Sequence, residues 1–171
     1  YNERVQLNPG VERFVRACQS AGLKTLLISG GFSFFSERIR QHLKLDFARA
    51  NSLGLHNGKL TGRVTGRIVD RKGKADLLRT IAELEGVPLD QVVAVGDGAN
   101  DLDMLSAAGL GIAFNAKPIV QNAADTAINV PYLDAIIFLL GVRREDVVAA
   151  ELSATEFSAT DLSPAEFSPA K

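Results

Sequence analysis

Apolar residues alternate along the first 150 positions between short runs that suit strands and three-to-four-residue periodicities that suit helices. Pro9 and Gly10 open a helix with Val11, Phe14, Val15 and Cys18 on one face, and Gly22 ends it. Lys24 to Ile28 reads as a buried strand, followed by Ser29-Gly30-Gly31 and a helix from Ser33 to Leu43 with Phe34, Phe35 and Ile39 inward. Phe47 to Ala50 is a short strand, and Leu53 to Thr65 a hairpin around Asn57-Gly58, a dipeptide whose left-handed tolerance suits a two-residue turn. Lys74 to Glu85 carries Leu77, Leu78, Ile81 and Leu84 at helical spacing and stops at Gly86. Val92 to Val95 is a second buried strand. Leu110 to Phe114 and Thr126 to Val130 are the last strands, and Leu133 to Leu140 the last helix. Strands and helices in this cadence predict an α/β fold, a parallel sheet flanked by helices, with one small β-hairpin.

The pattern breaks after residue 150. Glu151-Leu-Ser-Ala-Thr, Glu156-Phe-Ser-Ala-Thr, Asp161-Leu-Ser-Pro-Ala and Glu166-Phe-Ser-Pro-Ala are imperfect copies of one five-residue unit. A period of five matches neither helix nor strand, and an acidic, Ser- and Pro-rich segment buries too little surface to offset its ordering entropy. The expected division is a core over 1–142 and a linker with a disordered repeat tail over 143–171. The evenly spaced Leu and Phe of the tail also suit a docking tether; passive disorder is the simpler reading.

Composition narrows the function. With 46% hydrophobic and 23% charged residues, the 171-residue chain is ordinary globular protein. A formal charge of −1 argues against the concentrated basic surface that nucleic-acid binding requires. No apolar run nears membrane-spanning length. Cys18 is the single cysteine, so no internal disulfide forms, and the expected setting is a reducing cytoplasm. His42 and His56 have no metal-ligand partners at useful spacing and are expected at the surface.

The chemistry concentrates in Val92-Val93-Ala94-Val95-Gly96-Asp97-Gly98-Ala99-Asn100-Asp101. In an open α/β sheet ligands bind beyond the carboxyl ends of strands, which puts Asp97 and Asp101 at the mouth of a crevice. Two carboxylates with the Asn100 amide between them suit a hard cation that also holds phosphate oxygens. Ser29-Gly30-Gly31, after another strand, offers a hydroxyl and small-residue amides to a phosphate. Lys74, with its long stem, can neutralise an anion across the same crevice. Each piece has an ordinary reading by itself: a strand-to-helix turn, a solvated helix-face lysine, a pair of turn acids. Together, in this order, they outline phosphoryl transfer.

These segments resemble the haloacid dehalogenase superfamily and, within it, the phosphoserine phosphatases. The resemblance is carried by Leu27-Ile28-Ser29-Gly30-Gly31-Phe32, by Asn57-Gly58-Lys59-Leu60-Thr61-Gly62, by Lys74, by Gly96-Asp97-Gly98-Ala99-Asn100-Asp101, and by Ala107 to Ala113 with Ala116-Lys117-Pro118. It implies a Rossmann-like core and a Mg²⁺-dependent hydrolysis of O-phospho-L-serine, the last step of serine biosynthesis, through an aspartyl-phosphate. It further implies that Asp97 is the metal ligand and that Asp101 supports the metal site and orients Lys74. Lys74 then neutralises nucleophile and phosphate, Ser29 and Gly30 bind the phosphate, and Asn100 contacts the substrate.

One departure is large. The family's Asp-x-Asp-x-Thr/Ser nucleophile segment has no counterpart here, since Asp101-Leu102-Asp103 is followed by Met104-Leu105. The helical cap that the family places ahead of Tyr1 is missing too. The expectation is therefore the C-terminal part of a longer enzyme, with first strand and cap missing, inactive alone and weak in Mg²⁺ affinity. The strands on either side of the missing one, Lys24 to Ile28 and Val92 to Val95, would each lack a partner; a second copy, in a homodimer, or the N-terminal part would pair with them. Two alternatives stay open: action on another small phosphomonoester, as phosphatase or phosphotransferase, and a non-catalytic phosphate- or metal-binding module.

Overall fold

The computed structural model describes residues 6–143, 145 and 148. The expected linker and repeat tail lie almost wholly outside the described residues. Helix α1 (Val11–Ser20) starts behind Gly10, whose φ of 82° is the left-handed conformation glycine adopts without cost, and buries Val15, Ala17 and Cys18. Burial pushes the Cys18 thiol up to about 11, so it sits in the core as a neutral, small hydrophobe.

Strand β1 (Leu26–Phe32) and strand β2 (Phe47–His56) pair in parallel, with α2 (Ser33–Leu43) as the crossover. Strand β2 then outruns β1. Its second half, from Ser52, turns at Asn57 and Gly58 and pairs antiparallel with β3 (Lys59–Thr65). Both turn residues have positive φ, 49° and 74°, the requirement of a primed hairpin turn. Helix α3 (Arg71–Leu84) is capped by Asp70, whose carboxylate accepts from the Gly73 amide at 2.7 Å.

The remaining elements are β4 (Val93–Gly96), α4 (Leu102–Ala107), β5 (Leu110–Phe114), α5 (Pro118–Gln121), β6 (Thr126–Ile128) and α6 (Ile136–Leu139). Strands β4, β5 and β6 form a parallel sheet in that order. Alternation along β5 sends Ala113 to one face and Ile112 and Phe114 to the other. The Ala113 face packs on Leu78 of α3, Met104 and Leu105 of α4 and Val120 of α5. The opposite face packs on Phe14 of α1 and Ile136 of α6. Each fully buried Ile or Leu in these layers contributes about 1.5–3 kcal/mol of transfer free energy.

Among the described residues, then, two three-stranded sheets carry the fold. Strand β1 has a strand partner on one side only, and so does β4. Ile28 of β1 nevertheless packs against the same apolar cluster as Ala94 of β4, so both open edges border one core.

Several expectations need correction. The two strands read as buried are half-buried: Leu26 to Ile28 are intermediate, and Val93 is 39% exposed, because an edge strand lacks the neighbour that would cover it. Ser29-Gly30-Gly31 lies inside β1, at a break in its register, rather than after it. Phe32, Phe34 and Phe35, read as core, are exposed, and Leu84 is 73% exposed at the end of α3. Phe34 and Phe35 pack edge to face, and the Arg38 guanidinium lies 4.2 Å from the Phe34 ring centroid. The short strand from Phe47 and the hairpin arm from Leu53 are one continuous β2. The last strand ends at Ile128, and the last helix divides into a 3₁₀ turn, Leu133–Ala135, and the four-residue α6.

Candidate functional site

Lys74 is the fourth residue of α3, not its first, and is 7% exposed. Its Nζ donates to Oδ1 of Asp101 at 2.6 Å, and Asp101 is 4% exposed. The second carboxylate oxygen, Oδ2, accepts from the Gly98 amide at 3.1 Å. The reading of Lys74 as a solvated surface lysine therefore fails. A lysine that folds inward at the cost of its hydration is held there by a carboxylate equally withdrawn from water.

The local sequence makes room for this pair. A Cβ at Gly96, the last residue of β4, would lie 2.5 Å from Cβ of Asp101 and 2.9 Å from Oδ2. Only glycine lets the Asp101 side chain fold back over the strand end. The 3₁₀ turn Ala99–Asp101 then leads into α4, which Arg71 of α3 ties down by donating to Oδ1 of Asp103 at 2.7 and 2.5 Å. Thus α3 is joined by a buried ion pair to the β4–α4 loop and by an exposed one to α4 itself.

Asp97 and Asn100 are exposed on the same loop. Among the described residues no hydrogen bond or ion pair engages the Asp97 carboxylate, and no group of three or more His, Cys, Asp or Glu side chains forms a metal cage. Ser29 Oγ accepts from the Gly31 amide at 3.0 Å, which folds the Ser29–Gly31 stretch on itself. No described hydrogen bond joins Ser29 directly to Lys74 or Asp97. The connection runs through Asn51, which was absent from the sequence reading: its Nδ2 donates to the Gly30 carbonyl at 2.8 Å, and its Oδ1 accepts from the Val69 amide at 2.8 Å. A polar residue inside an apolar strand, facing a Gly-rich stretch, is the one signal that could have singled it out. An open hollow at the start of α1, lined from Leu7 to Arg16, shares no residue with this constellation.

A profile of the haloacid dehalogenase-like hydrolases matches residues 1–106, well over half the chain. The chain belongs to that family. Within the haloacid dehalogenase-like hydrolases it is 56% identical over 150 residues to a phosphoserine phosphatase of Streptomyces coelicolor, covering 88% of this chain and 37% of that protein. A phosphoserine phosphatase of Mycobacterium tuberculosis is 51% identical over 149 residues, with 87% and 36% covered. This hydrolase chain thus spans just over a third of the length of those two relatives. Among solved structures, a substrate-bound phosphoserine phosphatase complex superposes with a TM-score of 0.75 at 40% identity, over 80% of this chain and 65% of the other. An unliganded, probable phosphoserine phosphatase of Vibrio cholerae gives 0.75 at 39% identity, over 91% and 46%. The α/β architecture of parallel strands flanked by helices is that of these neighbours. No helix among the described residues is long and apolar enough to cross a membrane.

Proposed function

We propose that the complete polypeptide hydrolyses O-phospho-L-serine to L-serine and phosphate, and that this chain supplies the phosphate- and metal-holding half of its site. The observation that carries the reading is the buried Lys74–Asp101 pair, 2.6 Å apart at the carboxyl end of β4. A fixed ammonium at that place is suited to the charge of a transferring phosphoryl group, and electrostatics dominates such catalysis. The 40% identical, substrate-bound phosphoserine phosphatase supports the choice of substrate.

In this reading Ser29 and Gly30 donate hydrogen bonds to the phosphoryl oxygens, Lys74 neutralises their charge, and Asn100 contacts the substrate. Asp101 fixes the ammonium, with one oxygen held by Lys74 and the other by the Gly98 amide, and supports the metal site through its remaining lone pairs. Asp97, an exposed carboxylate without a partner among the described residues, fits a Mg²⁺ ion as one of its hard oxygen ligands. A single carboxylate suits an ion that keeps several waters and takes phosphate oxygens as further ligands. When bound, Mg²⁺ would offset negative charge on the phosphate. The attacking carboxylate comes from the rest of the polypeptide, on a strand seated between the open edges of β1 and β4. It displaces the serine oxygen from phosphorus, and water then releases phosphate from the acyl-phosphate, regenerating the carboxylate.

The test is phosphate release from phosphoserine by the full-length polypeptide, with and without Mg²⁺, beside a panel of other small phosphomonoesters. Mg²⁺-dependent release that falls by at least about 100-fold in Asp97→Asn and in Lys74→Ala is expected. Preference for another phosphomonoester would move the substrate, and no release from any would leave a binding module.

A further inference from the structure

Resting on the reading of Ser29, Gly30 and Lys74 as phosphate-holding groups, we infer that Asn51 is the positioning residue that sets the distance between them, as a two-ended clamp. Asn51 lies on β2 and is 7% exposed. In the parallel ladder Leu26, Leu27 and Ile28 match Phe47, Ala48 and Arg49 in step, then the register breaks and Phe32 meets Asn51. The break falls on Ser29-Gly30-Gly31. There the side chain of Asn51 bridges the two strands, its Nδ2 donating to the Gly30 carbonyl at 2.8 Å. Its other end accepts the Val69 amide at 2.8 Å. Val69 precedes Asp70, the cap of α3, and α3 carries Lys74 in its first turn. The two clamped backbones also run close together, since a Cβ built on Gly30 would come within 3.5 Å of the Val69 carbonyl oxygen.

The chemistry selects an amide. One end needs a donor and the other an acceptor, with both buried. Aspartate keeps the shape but turns a second oxygen toward the Gly30 carbonyl; leucine keeps the volume and loses both bonds. Either change frees the phosphate loop from the helix that holds the lysine. A misplacement of about 1 Å between groups that act together costs on the order of 100-fold in rate. The described hydrogen bonds of the Asn51 side chain go to the Gly30 and Val69 backbones and not to Lys74, so it acts through position.

The experiment uses the full-length polypeptide carrying Asn51→Asp or Asn51→Leu, with Thr25→Ala as a control for the loss of a buried polar contact remote from the loop. Thr25 bonds Asp46 through both its backbone N–H and its hydroxyl. Orthophosphate affinity by titration calorimetry, kcat and KM for phosphoserine, and the melting temperature are read for each. At temperatures where every variant is folded, both Asn51 variants should bind orthophosphate at least tenfold more weakly and lose kcat. Thr25→Ala, at comparable loss of melting temperature, should stay within twofold of the parent. Orthophosphate affinity of the Asn51 variants within twofold of the parent overturns the clamp, as does a parent that binds no orthophosphate. A parent that binds orthophosphate but leaves phosphoserine intact sinks the proposed substrate, and the clamp is then decided by affinity alone. If neither Asn51 variant folds, hydrogen exchange decides in the parent: saturation with orthophosphate should slow exchange of the Val69 amide, and unchanged exchange overturns the proposal.

Discussion

Large aliphatic residues of the two sheets meet different fates. In the β4–β5–β6 sheet, Ile112 and Ala113 are wholly buried, and helices cover both faces. In the β1–β2–β3 sheet, all seven residues of β3 are exposed, and Leu55 and Leu60 are 68% and 65% exposed. Leu55 and Leu60 are as apolar as Ile112. What differs is the presence of a packed layer, so apolar content by itself says little about which strand contributes stability. The candidate site lies where the two regimes adjoin: Lys74 and Asp101 belong to the well-packed half, Ser29 and Gly30 to the open one. Asn51 and Val69 join the halves.

The sharpest test of that contrast is Lys74→Met, which strands the Asp101 carboxylate in the packed half. Urea unfolding should show a loss of about 3–5 kcal/mol, and Lys74→Met with Asp101→Leu should recover much of it. A loss below 1 kcal/mol would mean that water reaches the pair. Next comes Ile112→Ala, at the centre of the buried sheet, expected to cost about 2–5 kcal/mol in the same measurement. The cap of α3 is smaller: Asp70→Ala, losing the 2.7 Å bond to Gly73, should cost about 1 kcal/mol. At the far end, Leu60→Ala on the exposed hairpin should stay within about 0.5 kcal/mol of the parent. If Leu60→Ala matched Ile112→Ala, the hairpin would be covered in solution and the comparison would fail.

A pH-dependent difference sharpens the open half. Burial opposes charge on Asp46, but hydrogen bonds from the Thr25 amide and hydroxyl and the nearby Lys24 ammonium outweigh it and lower the carboxyl pKa. A lowered native pKa stabilises the fold above the unfolded value of about 3.9, and the contribution is lost as pH falls through the native value. Asp46→Asn should therefore destabilise at pH 7 by urea titration, with the gap to the parent closing on acidification below about pH 4. A gap that is constant with pH would assign the effect to lost hydrogen bonds rather than charge.

Much of the fold was legible. The period of α1, the Asn57-Gly58 turn and the strand of β5 follow from local pattern and turn chemistry, which act over a few residues. The inward placing of Phe34 and Phe35 failed because helical periodicity tells which residues share a face and not what covers that face. The Gly-Asp-Gly-Ala-Asn-Asp run singled out the candidate site through residue type and spacing. It did not mark Asn51, because a lone asparagine in a strand carries no local pattern, and its two partners lie 21 and 18 positions away.

By itself, then, the sequence determined the order and type of elements, the hairpin turn and the family pattern, since these are short-range properties of residue type and period. Only the tertiary structure decided that Lys74 turns inward to Asp101, that two strands stand with open edges, and that Asn51 ties the Gly30 loop to the start of α3. Burial and pairing depend on which distant segments arrive at the same place, and long-range contact is what no window along the chain contains.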